Sequence, residues 1–225
     1  MALFGDKKAK KLAKPTKSDK ISSATIITSC MTVNGNLEGT DTIHIDGTVI
    51  GNITVSNTLV IGTSGKVEGD IEAKHVIING ELKGTIKCEN LEVMKTGKVS
   101  KMIKATHLIL DGTVDGDITG IETIKVLEHA NIQAISLKSK TITVHGTIQG
   151  MVVASEILEI GEKGFVEGQI TVKNIKTEEG GRMVGTMSTY QEEDFKEPIA
   201  KKEKSILKKV TGAKKNSEDD FFSKK

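Results

Sequence analysis

Residues 111–118 read DGTVDGDI, and the chain has already carried close versions of that phrase, DGTVIGNI at 46–53 and NGELKGTI at 79–86. Glycine and carboxylate at this density belong to two kinds of site. A Gly-rich loop opening a helix cradles phosphate with its backbone N–H groups, and Gly-x-Asp turns on stacked coils hold calcium. A phosphate loop needs a helix behind it, whereas a strand-like alternation follows each phrase here. Calcium needs ligands at matching positions on consecutive coils, but Asp46, Asp70, Asp111, Asp115 and Asp117 have Asn79, Lys95 and Lys163 as neighbours. These aspartates read as turn-forming and solubilising.

The other reactive side chains are few. His129 and His145 both precede the first position of the phrase on neighbouring coils, and His75 and His107 match two coils apart, but no third ligand completes a zinc site. They read as surface histidines. Cys88 takes the place that Val55, Ala73 and Ala105 take in other coils, so it reads as a small buried residue and not as a nucleophile. Cys30 lies just before the repeats. Two cysteines are too few for a disulfide framework, which points to a reducing, cytoplasmic setting. No catalytic, cofactor-binding or metal-binding residue is therefore assigned, and no enzyme activity is expected.

The spacing of the phrases accounts for them better than chemistry does. The pattern Gly-x-apolar-x-Gly begins at Gly35, Gly47, Gly65, Gly80, Gly112, Gly146, Gly164 and Gly181, with a variant at Gly97 whose second glycine is Lys101 and an alanine version, ANIQA, at 130–134. From Gly47 onward it recurs every 15–18 residues, a period that marks a solenoid. Two alternating pairs separate the phrases, as in Ile53 and Val55 then Leu59 and Ile61, or Ile103 and Ala105 then Leu108 and Leu110. The central residue of each phrase, such as Val49, Val114 or Val166, adds a further inward position. The expected fold is all-β: a parallel β-helix, a triangular solenoid of about nine coils with three short strands per coil and an aliphatic core. Coils that slide between 15 and 18 residues argue against the strict hexads of the left-handed hexapeptide helix.

Composition agrees. The 225 residues include no Trp, one Tyr and five Phe, with 23 Gly against 2 Pro, so turns are made by glycine around an aliphatic core. Residues 1–20 carry seven Lys and two Asp, residues 191–225 ten Lys and eight acids, and the remainder fifteen bases and twenty acids. Basic tails thus flank an acidic body, and with so few aromatics for base stacking no nucleic acid is expected as a partner. No stretch has the length and apolarity of a membrane span or secretory signal.

The run of phrases, including SGKVEGDI (64–71) and KGFVEGQI (163–170), in a small aliphatic body with short polar tails, closely resembles the bactofilins, polymer-forming bacterial cytoskeletal proteins. The resemblance covers roughly residues 25–189. It implies a right-handed β-helix that assembles end to end into nucleotide-independent filaments near the inner membrane, where they position cell-wall synthesis or hydrolysis proteins and influence cell shape. About nine coils exceeds the usual domain of that family.

Three regions are expected: a flexible Lys-rich tail at 1–24, the β-helix at 25–189, and a charged tail at 190–225 with an amphipathic segment at 198–211. Leu3 and Phe4 beside Lys7, Lys8, Lys10 and Lys11 read as a membrane-surface anchor, apolar wedges with basic residues for anionic lipid. In the C-terminal tail, Ile199, Ile206, Leu207 and Val210 fall on one helical face. The polymerisation residues are expected in the end coils: Val33 and Leu37, on a layer that looks incomplete because Gly35 and Gly47 are only 12 residues apart, and Met183 and Met187 in the final phrase. Two other readings stay open, a β-helix scaffold that binds partner proteins without polymerising, and a trimeric hexapeptide-type acyltransferase.

Overall fold

The structure, a computed structural model, describes residues 24–191. Apart from residues 24, 190 and 191, the two tails, with the membrane-anchor residues Leu3, Phe4, Lys7, Lys8, Lys10 and Lys11 and segment 198–211, lie outside the described residues. Between Ala24 and Thr189 every regular element is a strand, and every pairing between strands is parallel. Each coil passes over three faces. A first face carries the middle of the phrase, a second follows its second glycine, and a third returns toward the next phrase. In the second coil these are Thr48–Ile50 and then Ile53–Ile61, which spans the second and third faces. Farther along, single strands such as Glu81–Val93 and Thr113–Val126 bend through the corners without losing their ladder.

The core follows from period-2 alternation. In Thr113–Val126 the residues Val114, Ile118, Ile124 and Val126 are buried, while Thr113, Asp115 and Lys125 point to solvent. Register is kept from coil to coil, so Val99 lies on Val114 and Val114 on Ile132. The result is one column of aliphatic side chains along each inward position. A single coil buries too little apolar surface to offset the entropy of ordering it; stacking supplies the remainder, with backbone hydrogen bonds on both sides of every internal coil.

Among the described residues each face stacks ten strands, one more coil than the nine phrases from Gly47 onward indicate. The difference lies at the N-terminal end. Asn34 pairs with Ile50, so Gly35 stands over Gly51 and belongs to the second-glycine column, while Thr32 pairs with Thr48 and leaves Met31 in the place of Gly47. The 12-residue step is therefore no short coil. The first layer is complete, with Ala24–Ile27, Thr32–Asn34 and Leu37–Gly39 on its three sides.

Variable coil length has a simple source in the corner before the first face. This corner is two residues long at 46–47, 79–80, 111–112 and 145–146, and four at 28–31, 62–65, 94–97, 127–130, 161–164 and 178–181. In each four-residue corner the last N–H donates to the first carbonyl over 2.8–3.1 Å. Short and long corners alternate until the final coil, so the structural period is two coils.

The second glycine of the phrase is required by close approach. At Gly150, which has φ +132°, a Cβ would overlap the Ala134 carbonyl oxygen of the preceding coil. Two coils lack this glycine, and they solve the problem differently. Lys101 adopts φ 104° and keeps register. Ala134 keeps an ordinary φ, and Ile135 bulges out to 73% exposure before pairing resumes at Ser136. Strained backbone at a non-glycine residue costs about 1–3 kcal/mol, and the extra unfolded-state entropy of glycine offsets roughly 0.4–1 kcal/mol of any relief. Lys101→Gly should therefore stabilise the fold by about 1 kcal/mol in chemical denaturation; a destabilised variant would show that the Lys101 side chain holds its corner.

Candidate functional site: the two ends of the rod

Several of the residues that could have carried chemistry hold neighbouring coils together. The Asn52 N–H donates to Asn36 Oδ1 at 3.0 Å, the Asp70 N–H to Asn52 Oδ1 at 3.1 Å and the Thr85 N–H to Asp70 Oδ1 at 3.1 Å, a ladder of side chains just after the second glycine. Accepting that bond holds the Asp70 carboxyl below its usual range. Asp111 Oδ1 accepts the His129 N–H and also meets His129 Nδ1, both at 3.3 Å. Asp46 pairs with His44 at 3.1 Å. Asp70 and Asp111 thus tie neighbouring coils together at their turns, while Asp115 faces solvent.

The histidines are spread over the rod in the same manner. His75 and His107 flank Asn90 on one column, with His75 Nδ1 and Asn90 Nδ2 3.1 Å apart, and His107 Nε2 lies 3.4 Å from Glu122. Beside His129 and His145, Glu128 is held 3.0 Å from the Lys163 ammonium, which keeps its carboxyl low. Among the described residues no group of three or more His, Cys, Asp or Glu could hold a metal ion. Cys88 pairs with Ala105 against the core, and burial pushes its thiol up to about 12. At neutral pH it is a protonated thiol, half-buried against the core and not fully inside it as its column implied. Cys30 is exposed on the first corner.

What remains is the pair of ends. Internal coils bury their inward residues almost completely, but the outermost coils have a neighbour on one side only. At the N-terminal end Val33 and Leu37 are half-buried against the next coil, while Ile27 is nearly covered. At the C-terminal end the inward positions are far more open. Met183 lies on Val166 and Met187 on Ile170, yet they remain 37% and 49% exposed. Ile175, on Leu158, is 36% exposed. Each end is thus an apolar cross-section ringed by strand edges, the arrangement that natural sheets usually cover. All four end-coil residues named from sequence lie in these outermost coils; the structure adds Ile27 and Ile175. Ile175 was findable, since it stands one period after Leu158. Ile27 was hidden by the misreading of Gly35.

The family model described as Bactofilin, polymer-forming cytoskeletal, matches the chain twice, at residues 25–111 and 101–188. The two matches overlap at residues 101–111 and together cover 25–188, so the rod is longer than one match to the family model. Among curated proteins, Bactofilin BacO of Myxococcus xanthus (strain DK1622) is 36% identical over 72 residues, which is 32% of this chain and 57% of BacO. Bactofilin BacP of the same strain is 29% identical over 72 residues, covering 32% of this chain and 30% of BacP. The alignments thus span less than two thirds of either relative. No solved structure matches the chain.

Proposed function

The chain belongs to the bactofilin family of polymer-forming cytoskeletal proteins, and from that premise we propose that it polymerises through its two end coils into filaments that need no nucleotide. The observation that carries this reading is the open apolar cross-section at Ile175, Met183 and Met187, facing solvent at the end of an otherwise sealed core. A second copy placed there would bury those side chains and pair the free strand edges together. Methionine suits such a joint, because its flexible thioether adapts to whichever surface meets it. Electron microscopy of purified, tag-free protein without nucleotide tests the proposal: filaments are expected, and monomeric rods at all concentrations would instead favour a non-polymerising scaffold. The acyltransferase alternative has little to support it, since the coils of 15–18 residues depart from strict hexads and the family model that matches describes polymer-forming cytoskeletal proteins.

The filament is further proposed to lie on the cytoplasmic face of the cell membrane and to scaffold cell-wall proteins there. Support comes from the sequence of the first residues, Leu3 and Phe4 with Lys7, Lys8, Lys10 and Lys11. Such a segment binds anionic lipid weakly, at about 1 kcal/mol per lysine near the surface, and a polymer presenting many copies multiplies it. Deleting residues 2–11 should release filaments from anionic vesicles without dissolving them. Continued co-sedimentation of the deleted protein with vesicles would remove the anchor from the proposal.

A further inference from the structure

The C-terminal end of the rod has two properties beyond its apolar centre. Its last corner is acidic: Glu178 and Glu179 stand exposed there, and Glu162 on the corner one coil earlier, while the bases nearby are Lys163, paired with Glu128, Lys176, paired with Glu159, and Lys173 and Arg182 on the strands either side of the corner. The chain also departs from this same end. The Tyr190 N–H still donates to the Val172 carbonyl at 3.0 Å, so the polypeptide leaves the second face beside Thr189, close to Met187.

The sequence that follows matches this surface in both respects. Residues 198–211 carry five lysines, at 201, 202, 204, 208 and 209, against the single acid Glu203, and their apolar residues are Ile199, Ile206, Leu207 and Val210. The spacing of those four suits one helical face. Reach is not limiting, because the eight steps from Gln191 to Ile199 extend to about 27 Å at about 3.4 Å per residue, and one face of the coil is roughly five residues wide, about 17 Å. By contrast, the N-terminal end has its apolar residues better covered and lies at the other end of ten coils.

We propose that residues 197–212 bind across the C-terminal end of their own rod, with Ile206 and Leu207 on Met183 and Met187 and lysines against Glu178 and Glu179, and so hold that end closed to a second copy. The contact is intramolecular. Its consequence for assembly rests on the end-to-end reading above: tail and second copy compete for one surface, so the rod elongates through this end only when the tail is released. A tail tethered beside its site acts at a high effective concentration, and a face occupied nine-tenths of the time weakens the apparent affinity for a second copy about tenfold. Anything that draws the basic segment away, such as an anionic surface, would promote growth.

Two measurements on the full chain test this. In a Cys30→Ser background, dilute protein carrying Met187→Cys and Leu207→Cys should form an intramolecular disulfide at least about tenfold faster than protein carrying Val33→Cys and Leu207→Cys. Equal rates would overturn the proposal, and so would a disulfide that forms only between molecules and rises with concentration. Separately, Ile206→Asp with Leu207→Asp should lower the concentration at which filaments appear by about tenfold. An unchanged threshold, or a variant that loses only vesicle binding, would overturn the competition and assign the segment to the membrane. If neither wild type nor variant forms filaments, the end-to-end reading fails, and the disulfide rates still decide whether the tail occupies the end.

Discussion

Val114→Lys should lower the thermal unfolding midpoint by roughly 10–15 °C, the largest effect expected of any single substitution in the rod. Val114 is buried between Val99 and Ile132 in the middle of the solenoid. An ammonium placed there meets aliphatic side chains on both sides and has no polar partner. Burying it unpaired costs several kcal/mol, and a body of this size loses about 2–4 °C per kcal/mol. Because each coil contacts only its neighbours, the damage is concentrated at the junction of the fifth, sixth and seventh coils, where it uncouples the two halves. The adjacent Asp115→Lys supplies the contrast. Asp115 points to solvent, and its replacement should change stability by less than about 0.5 kcal/mol. Scanning calorimetry of the two proteins decides the matter; similar midpoints would mean that Val114 does not face inward.

The inward positions could be read from the chain because alternation and the glycine phrase are local signals, repeated often enough to average out exceptions. Ala130 and Lys101 were recognisable as substituted glycines because coils on either side fixed their place. What a substituted glycine does to the backbone was not recognisable. Lys101 takes a left-handed φ while Ala134 forces a bulge at Ile135, and nothing within either pentapeptide distinguishes these outcomes. The first coil was misread for a related reason. With Met31 in the first-glycine position, Gly35 and Gly39 imitate the phrase as GNLEG four residues out of place, and Gly35 was assigned to the wrong column. The alternation of two- and four-residue corners was present in the steps between glycines, but only the hydrogen bonds closing each long corner give it a cause. As for the ends, Met183 and Met187 stood out because large flexible side chains replace the branched ones of earlier phrases, whereas Ile175 resembles any core isoleucine until the missing coil above it is seen.

Met183→Asp together with Met187→Asp should leave a folded, β-rich rod that no longer forms long filaments. The two residues lie on Val166 and Ile170 in the last coil, with a coil on one side and solvent on the other. Charge at these positions displaces the apolar tail residues proposed to lie there and stays hydrated in the isolated rod, so circular dichroism and the thermal midpoint of the coils should change little. Joining another rod is different, because it would remove two carboxylates from water without a counter-charge, a penalty of several kcal/mol at each joint. A loss of that size weakens association by at least about a hundredfold. The residual species reports polarity. If rods join like to like, as the family resemblance implies, the N-terminal ends with Val33 and Leu37 remain competent and the variant stops at dimers. If they join head to tail, every joint contains one altered end and monomers remain. Analytical ultracentrifugation distinguishes these outcomes, and long filaments at the wild-type concentration would show that the C-terminal coil is not an assembly face.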